Sequence, residues 1–235
     1  DLIVSRGLGD VYKRQVGEKL KKNKDIKVIY TRKKDEFVNL FDRAQIANDA
    51  NADLFISIHC DAHNSNAYGA GTFVLGLHAN ERNFQIAKKE NSVIFLEEDY
   101  SQKYDGFDPS NPESVISLVL MQEEYLDQSI IAANTIQESF TKNLKRRNRT
   151  VKQAGFIVLK YTYMPSVLVE TGFLTNKEEG KYLNSKKGQA EMALTIANAI
   201  IDYKNKVTNS FTELSTDFKI DENLENIYLK VQIAS

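Results

Sequence analysis

The chain has 235 residues, 42% of them hydrophobic and 27% charged, with a formal net charge of −1. That length suits one medium α/β domain with a tail and is enough to bury a real core. The balanced charge supplies no field that would gather nucleic acid or an anionic membrane, and no apolar run reaches the length of a bilayer span, so neither is an expected partner.

Residues 1–15 read as unstructured: Gly7-Leu8-Gly9 is a breaker cluster with no periodicity around it, and the opening residues lack the apolar region of a signal peptide. Residues 16–24 form a short charged segment, the end of a helix. The run 26–30, rich in β-branched and aromatic residues, predicts a strand. Leu40, Ala44 and Ala47 give 40–50 a helical spacing. Residues 54–58 are almost continuously apolar, as in a parallel strand covered on both faces. A strand at 71–75 and a polar helix at 80–90 follow. Residues 91–112 are irregular, with turns at Asp108-Pro109 and Asn111-Pro112. The stretch 114–146 predicts one long amphipathic helix, and the basic run 142–152 reads as its solvated end. Residues 156–159 and 167–169 predict short strands, and 188–203 a closing amphipathic helix. Residues 205–226 are polar and suit a linker; 227–233 is strand-like again. Strands alternating with helices give an α/β fold, a mainly parallel sheet flanked by helices in a single catalytic domain.

In such sheets functional residues collect where strands end at their carboxyl edge. Two sequences fit. Ser57-Ile58-His59-Cys60-Asp61-Ala62 leaves a buried strand at His59, and Val167-Leu168-Val169-Glu170-Thr171-Gly172-Phe173 leaves another at Glu170. The imidazole suits a divalent metal and the carboxylate suits a general base acting on metal-bound water. Each also has an ordinary use, His59 as a hydrogen-bonded loop residue and Glu170 as the cap of the next helix. Asp61 and His63 are further candidates for a metal cluster with His59, although His59 and His63 leave the strand on different courses. His78 reads as exposed. Cys60, the one cysteine, can form no internal disulfide and reads as a small buried hydrophobe rather than a thiol nucleophile.

Four motifs in order extend this reading: Val28-Ile29-Tyr30-Thr31-Arg32 with Asp35; Leu40 with Arg43-Ala44 and Ala47-Asn48, leading into Ala52-Asp53-Leu54-Phe55-Ile56-Ser57-Ile58-His59; Val151-Lys152-Gln153-Ala154-Gly155-Phe156; and Met164-Pro165-Ser166 through Glu170-Thr171-Gly172-Phe173-Leu174-Thr175-Asn176. In that combination the chain resembles the zinc-dependent N-acetylmuramoyl-L-alanine amidases of the type 3 family over residues 16–204. The resemblance implies a peptidoglycan hydrolase with one Zn²⁺ held by two His and one Glu and a water in the open position. It implies that His59 is a metal ligand and Glu170 the catalytic carboxylate, with Asp61 where the family usually has Asn. It also implies export, to the periplasm or cell wall.

The family opens with a strand ending in Asp-Pro-Gly-His-Gly-Gly and then a metal-binding Glu, and the chain carries neither. Residues 16–204 are therefore expected to form a catalytic domain without its first strand and helix start. Glu18 matches a late position of the first helix and receives no ligand role. Residues 1–15 are expected to be a non-family segment; Asp10 to Gln15 resembles a translated sequencing adapter. Residues 227–235 resemble the first strand of a peptidoglycan-binding SPOR domain. Residues 90–130 resemble an insertion that covers the zinc in some members, where an activator protein is an expected partner. Glu97 and Glu98 there either reach a metal or form an exposed acidic turn. With His59 as its one matched ligand, the chain is expected to bind zinc poorly and be inactive; the alternative is a wall-binding or regulatory module on the same fold.

Overall fold

The computed structural model describes residues 2–34, 36–62, 66–77, 80–116, 123–217 and 229–234. Six strands form one sheet in the order β1 (Ile26–Tyr30), β6 (Leu229–Ala234), β2 (Leu54–Asp61), β5 (Ser166–Phe173), β3 (Ala70–Leu75) and β4 (Asn148–Ala154). All neighbours are parallel except β3 and β5, which are antiparallel. β5 is buried throughout and β2 nearly so, the condition that their continuous apolar runs predict.

Alternation along β2 sends Ile56 and Ile58 to one face and Phe55, Ser57 and His59 to the other. The first face packs under α1 (Leu2–Leu20), α5 (Glu123–Leu144) and α8 (Lys186–Asp217), with Tyr12, Val16, Ile136, Phe140, Ile196 and Ile200 in its core. The second face packs Phe55, Phe73 and Leu168 under α2 (Leu40–Asp49), α3 (Glu81–Asn91) and the single turn α6 (Ile157–Lys160). The helices α4 (Tyr100–Lys103) and α7 (Lys177–Asn184), with 3₁₀ turns at Ser92–Leu96 and Pro112–Val115, complete the described set. No described helix is long and apolar enough to cross a membrane.

Several expectations are overturned. Residues 2–15, expected to be unstructured, are helical: α1 runs from Leu2, and Leu8, Tyr12, Val16 and Leu20 repeat every four residues as a buried stripe. The Tyr12 hydroxyl donates to the Leu183 carbonyl at 2.8 Å. A helical glycine costs about 1 kcal/mol against alanine, and burial of that stripe outweighs Gly7 and Gly9. The segment 142–152 is a helix end only to Leu144; from Asn148 it becomes strand β4, half-exposed at the sheet's edge, where polar side chains mask the pattern. Residues 156–159, expected to be a strand, instead lead from Phe156 into the helical turn Ile157–Lys160. Asn91 fixes it, accepting from Ile157 N at 2.9 Å and donating to Gly155 O at 2.7 Å.

The tail differs too. α8 continues to Asp217, so residues 205–217 are helix rather than linker, and 218–228 lie outside the described residues. Residues 229–234, expected to begin a separate SPOR domain, lie inside the sheet between β1 and β2. Asp53 pairs both backbone groups of Lys230: its N–H donates to Lys230 O at 2.8 Å and its carboxylate accepts from Lys230 N at 2.5 Å. Val231 and Ile233 are fully buried. A strand between β1 and β2 is thus present, and the C-terminal segment supplies it.

Candidate active site

The parallel pairing of β2 and β5 sets His59 in register with Glu170, so both side chains point to the second face. Ser57, two residues before His59, shares that face, and its hydroxyl is hydrogen-bonded to His59 Nε2 at 2.7 Å. On the ring's other side, Nδ1 lies 2.9 Å from Glu90 Oε2. An ionised carboxylate only accepts, so the proton of a neutral ring sits on Nδ1 and Nε2 accepts from Ser57. Ligand atoms of His59, Glu90 and Glu170 lie within 4.8 Å of one another.

Glu90 is the residue that sequence reasoning missed. A signal was present: Asn83, Phe84, Ala87 and Asn91 form the buried stripe of α3, and Glu90 follows Ala87 by three residues. A carboxylate on the inward face of an otherwise polar helix needs a partner, and here that partner is His59.

Electrostatics separates the buried acids Glu170 and Asp61 from the half-buried Glu90. Burial pushes the Glu170 carboxyl well above the usual range, and Asp61 and Glu90 add to the shift. Both Glu170 oxygens are buried without a hydrogen-bond partner among the described residues, as is Asp61 Oδ2. Asp61 is also raised by burial, opposed by Lys89, whose Nζ lies 3.4 Å from its other oxygen. Burial acts most strongly on Glu90 and would raise it, but the facing His59, Lys89 and Arg43 together outweigh it and the carboxyl ends below its ordinary value. Cys60 points to the opposite face, hydrogen-bonded to Thr171 at 3.1 Å, and burial pushes its thiol up to about 12. That is a poor source of thiolate.

The chain just after Glu170 is tightly held. Gly172 has φ +152°, and a Cβ there would lie 2.7 Å from Arg146 Nη2 and 2.9 Å from Glu179 Cδ. Glu179 accepts from Phe173 N at 2.6 Å and Gly69 N at 2.7 Å and pairs with Arg146. Its own N–H donates to Asn176 Oδ1 at 3.1 Å, the cap that begins α7. Gly172→Ala should therefore cost about 1–3 kcal/mol through backbone strain alone, lowering the melting temperature by roughly 2–4 °C per kcal/mol. A thermal unfolding curve that coincides with the parent's would refute this account of the turn.

A crevice of about 90 Å³ opens beside His59 and Glu90, walled by Arg32, Phe37, Arg43 and Lys89. Asp10 of α1 fixes Arg32, accepting from its Nε at 3.2 Å and Nη2 at 3.1 Å. A smaller crevice beside Glu170 and Asp61 is lined by Arg82, Arg149 and Lys152. Burial, then Arg149 and Arg82, push Lys152 down to about 8.

The other candidates fall elsewhere. His63 and His78 lie outside the described residues, and Glu18 and Glu98 are exposed. Glu97 is buried but outside the cluster. Its oxygens accept from Leu40 N at 3.1 Å and from the Tyr104 hydroxyl at 2.8 and 2.9 Å, so it caps α2.

The profile of the family described as N-acetylmuramoyl-L-alanine amidase matches residues 10–202. The chain belongs to this family. The match takes in the second half of α1, which corrects the expectation that residues 1–15 lie wholly outside it. Among curated relatives, the chain is 34% identical over 185 residues to the N-acetylmuramoyl-L-alanine amidase AmiA of Salmonella typhimurium, covering 77% of this chain and 62% of that protein. It is 31% identical over 192 residues to AmiC of Escherichia coli, covering 81% and 45% respectively. It thus spans less than two thirds of either relative. The crystal structure of an N-acetylmuramoyl-L-alanine amidase from Clostridium difficile 630 superposes with a TM-score of 0.63 at 26% identity, over 86% of this chain and 84% of that one. The mixed, mostly parallel sheet between two helical layers is this family's architecture.

Proposed function

We propose that the chain hydrolyses the amide between N-acetylmuramic acid and L-alanine in peptidoglycan, with Glu170 as general base. The observation that carries this reading is the in-register pair of His59 and Glu170, completed by Glu90. The donor types fit a zinc ion, with His59 and Glu90 as two of the three protein ligands usual at a catalytic zinc and the family's second His absent from the cluster; two buried carboxylate oxygens without donors are what a neighbouring cation satisfies. His59 and Glu90 would hold the ion, with Glu170 facing it. When bound, zinc would acidify a water and polarise the scissile carbonyl.

The protein's own groups do the rest. Glu170 accepts a proton from the attacking water as the new C–O bond forms. It returns that proton to the alanine nitrogen as the C–N bond breaks, leaving a lactyl carboxylate and a free amine. A buried carboxyl with raised proton affinity suits both transfers. With an ion at Nδ1 in place of the proton shared with Glu90, the ring proton would sit on Nε2 and donate to the Ser57 hydroxyl, which holds the ring in orientation, the usual role of a ligand's outer partner. An inactive wall-binding module has no use for an unpartnered buried carboxylate beside an imidazole, so the enzyme reading is favoured.

A peptidoglycan substrate places the protein outside the cytoplasmic membrane, in the periplasm or at the wall. Glu90 stands at the start of the 90–130 insertion, so an activator that shifts this region would shift a ligand. The expectation of an inactive chain counted His59 alone; with Glu90 beside it, the full chain incubated with zinc and purified peptidoglycan should release stem peptides bearing a free alanine amine. A chelator should abolish the release, and restoring zinc should recover it. Chelator-insensitive release, or no release from zinc-saturated protein, would defeat the proposal.

A further inference from the structure

Beside Glu170 stand three cations that the proposed chemistry does not use. Arg82 comes from the first turn of α3, and Arg149 and Lys152 come from β4. Among the described residues none of them has a carboxylate at ion-pair distance. Arg82 Nη2 is buried without a hydrogen-bond partner among the described residues. The guanidinium groups of Arg82 and Arg149 lie 5.8 and 4.9 Å from the centre of the Phe173 ring, which holds them in place. The Lys152 ammonium lies 5.1 Å from the centre of the Phe73 ring. It also passes over Gly71, where a Cβ would come 3.4 Å from it, and Gly71 is the ladder partner of Glu170. Glu170 and Asp61 line the same crevice without reaching ion-pair distance of these cations, and Arg149 and Lys152 each already donate to backbone carbonyls; the three like charges still repel one another, and an anion relieves that cost while accepting from their remaining donors.

We propose that the crevice formed by Arg82, Arg149 and Lys152 is a carboxylate-binding subsite for the stem-peptide side of the substrate, taking the free carboxylate of the glutamyl residue that follows L-alanine. The identity of this ligand rests on the amidase reading. The crevice opens at Glu170, so a carboxylate held there fixes the peptide on the side from which the amine departs. A muramyl sugar carries no comparable charge, which gives the subsite a direction.

The test is binding, not turnover. The full chain is titrated with the dipeptide L-Ala-γ-D-Glu and with its α-amide by calorimetry. The acid should bind about tenfold more tightly, the order expected of charge-assisted hydrogen bonds. Arg82→Gln and Lys152→Gln should each shrink this preference while leaving affinity for the amide unchanged. The two residues sit on separate elements, so if one variant fails to fold the other carries the test. Equal affinity for the two peptides, no binding of either, or an undiminished preference in the folded variants would overturn the subsite. A chain that prefers the acid yet cuts no muramyl amide would uphold the subsite and count against the proposed reaction.

Discussion

Glu170→Gln should leave the fold and the zinc content intact and lower turnover by about 10²–10⁴-fold, the usual contribution of a positioned acid or base. The change is nearly isosteric and removes only the proton acceptor. Stability gives a second, independent readout. The carboxylate is buried and its oxygens have no hydrogen-bond partner among the described residues, so it is a cost to the folded chain rather than a support. The melting temperature should therefore hold or rise. A structural cap makes the opposite prediction: its loss lowers stability by about 1 kcal/mol and spares turnover. Zinc content decides a third case. If Glu170 is a ligand rather than a base, the variant loses metal together with activity. Near-normal turnover with a lowered melting temperature would reject the catalytic role, and the assay is release of stem peptide from peptidoglycan alongside metal analysis.

Two of the three residues of the candidate cluster were legible in the sequence, and the physics says which. His59 and Glu170 each end a run of buried apolar residues, and such runs mark central parallel strands whose carboxyl edges carry chemistry. What brings them together is the adjacency of β2 and β5, which are far apart in the chain and have β3 and β4 between them in sequence. No local periodicity encodes that order. Glu90 was harder still, because its position depends on how α3 lies over the sheet; only its place on the buried stripe distinguished it from the other acids of a polar helix. The basic crevice was hidden for a similar reason. Arg149 and Lys152 sit in a charged run that resembles a solvated helix end, and only the pairing of β4 with β3 turns Lys152 toward Glu170.

The largest failure lay at the two ends of the chain, where local signals were weakest. A glycine pair masked the stripe of α1, since propensity is a weak prior against tertiary burial. At the other end, a short strand-like segment after a polar stretch looked like the start of something new. Its hydrophobic pattern gave no hint of its partners, because a strand's alternation says which side is buried and not which neighbours it pairs with.

That last point has a measurable consequence. Removing residues 229–235 should abolish cooperative unfolding of the domain, or bring the midpoint down sharply. β6 is an inner strand, pairing Leu229–Ile233 with Ile26–Tyr30 on one side and Val231–Ala234 with Leu54–Ser57 on the other. Val231 and Ile233 are fully buried, and burying each is worth roughly 1.5–3 kcal/mol. Their loss also strands the ladder groups of β1 and β2, at about 1–3 kcal/mol for each donor or acceptor left buried and unpaired. Together these terms are comparable with the 5–15 kcal/mol that typically separates a folded domain from its unfolded chain. The single change Ile233→Ala gives a graded version, with an expected cost of about 2–5 kcal/mol in urea denaturation. If residues 229–235 instead began an independent peptidoglycan-binding domain, neither change would move the unfolding midpoint of the rest. Two coincident denaturation curves, parent and truncated, would remove β6 from the sheet.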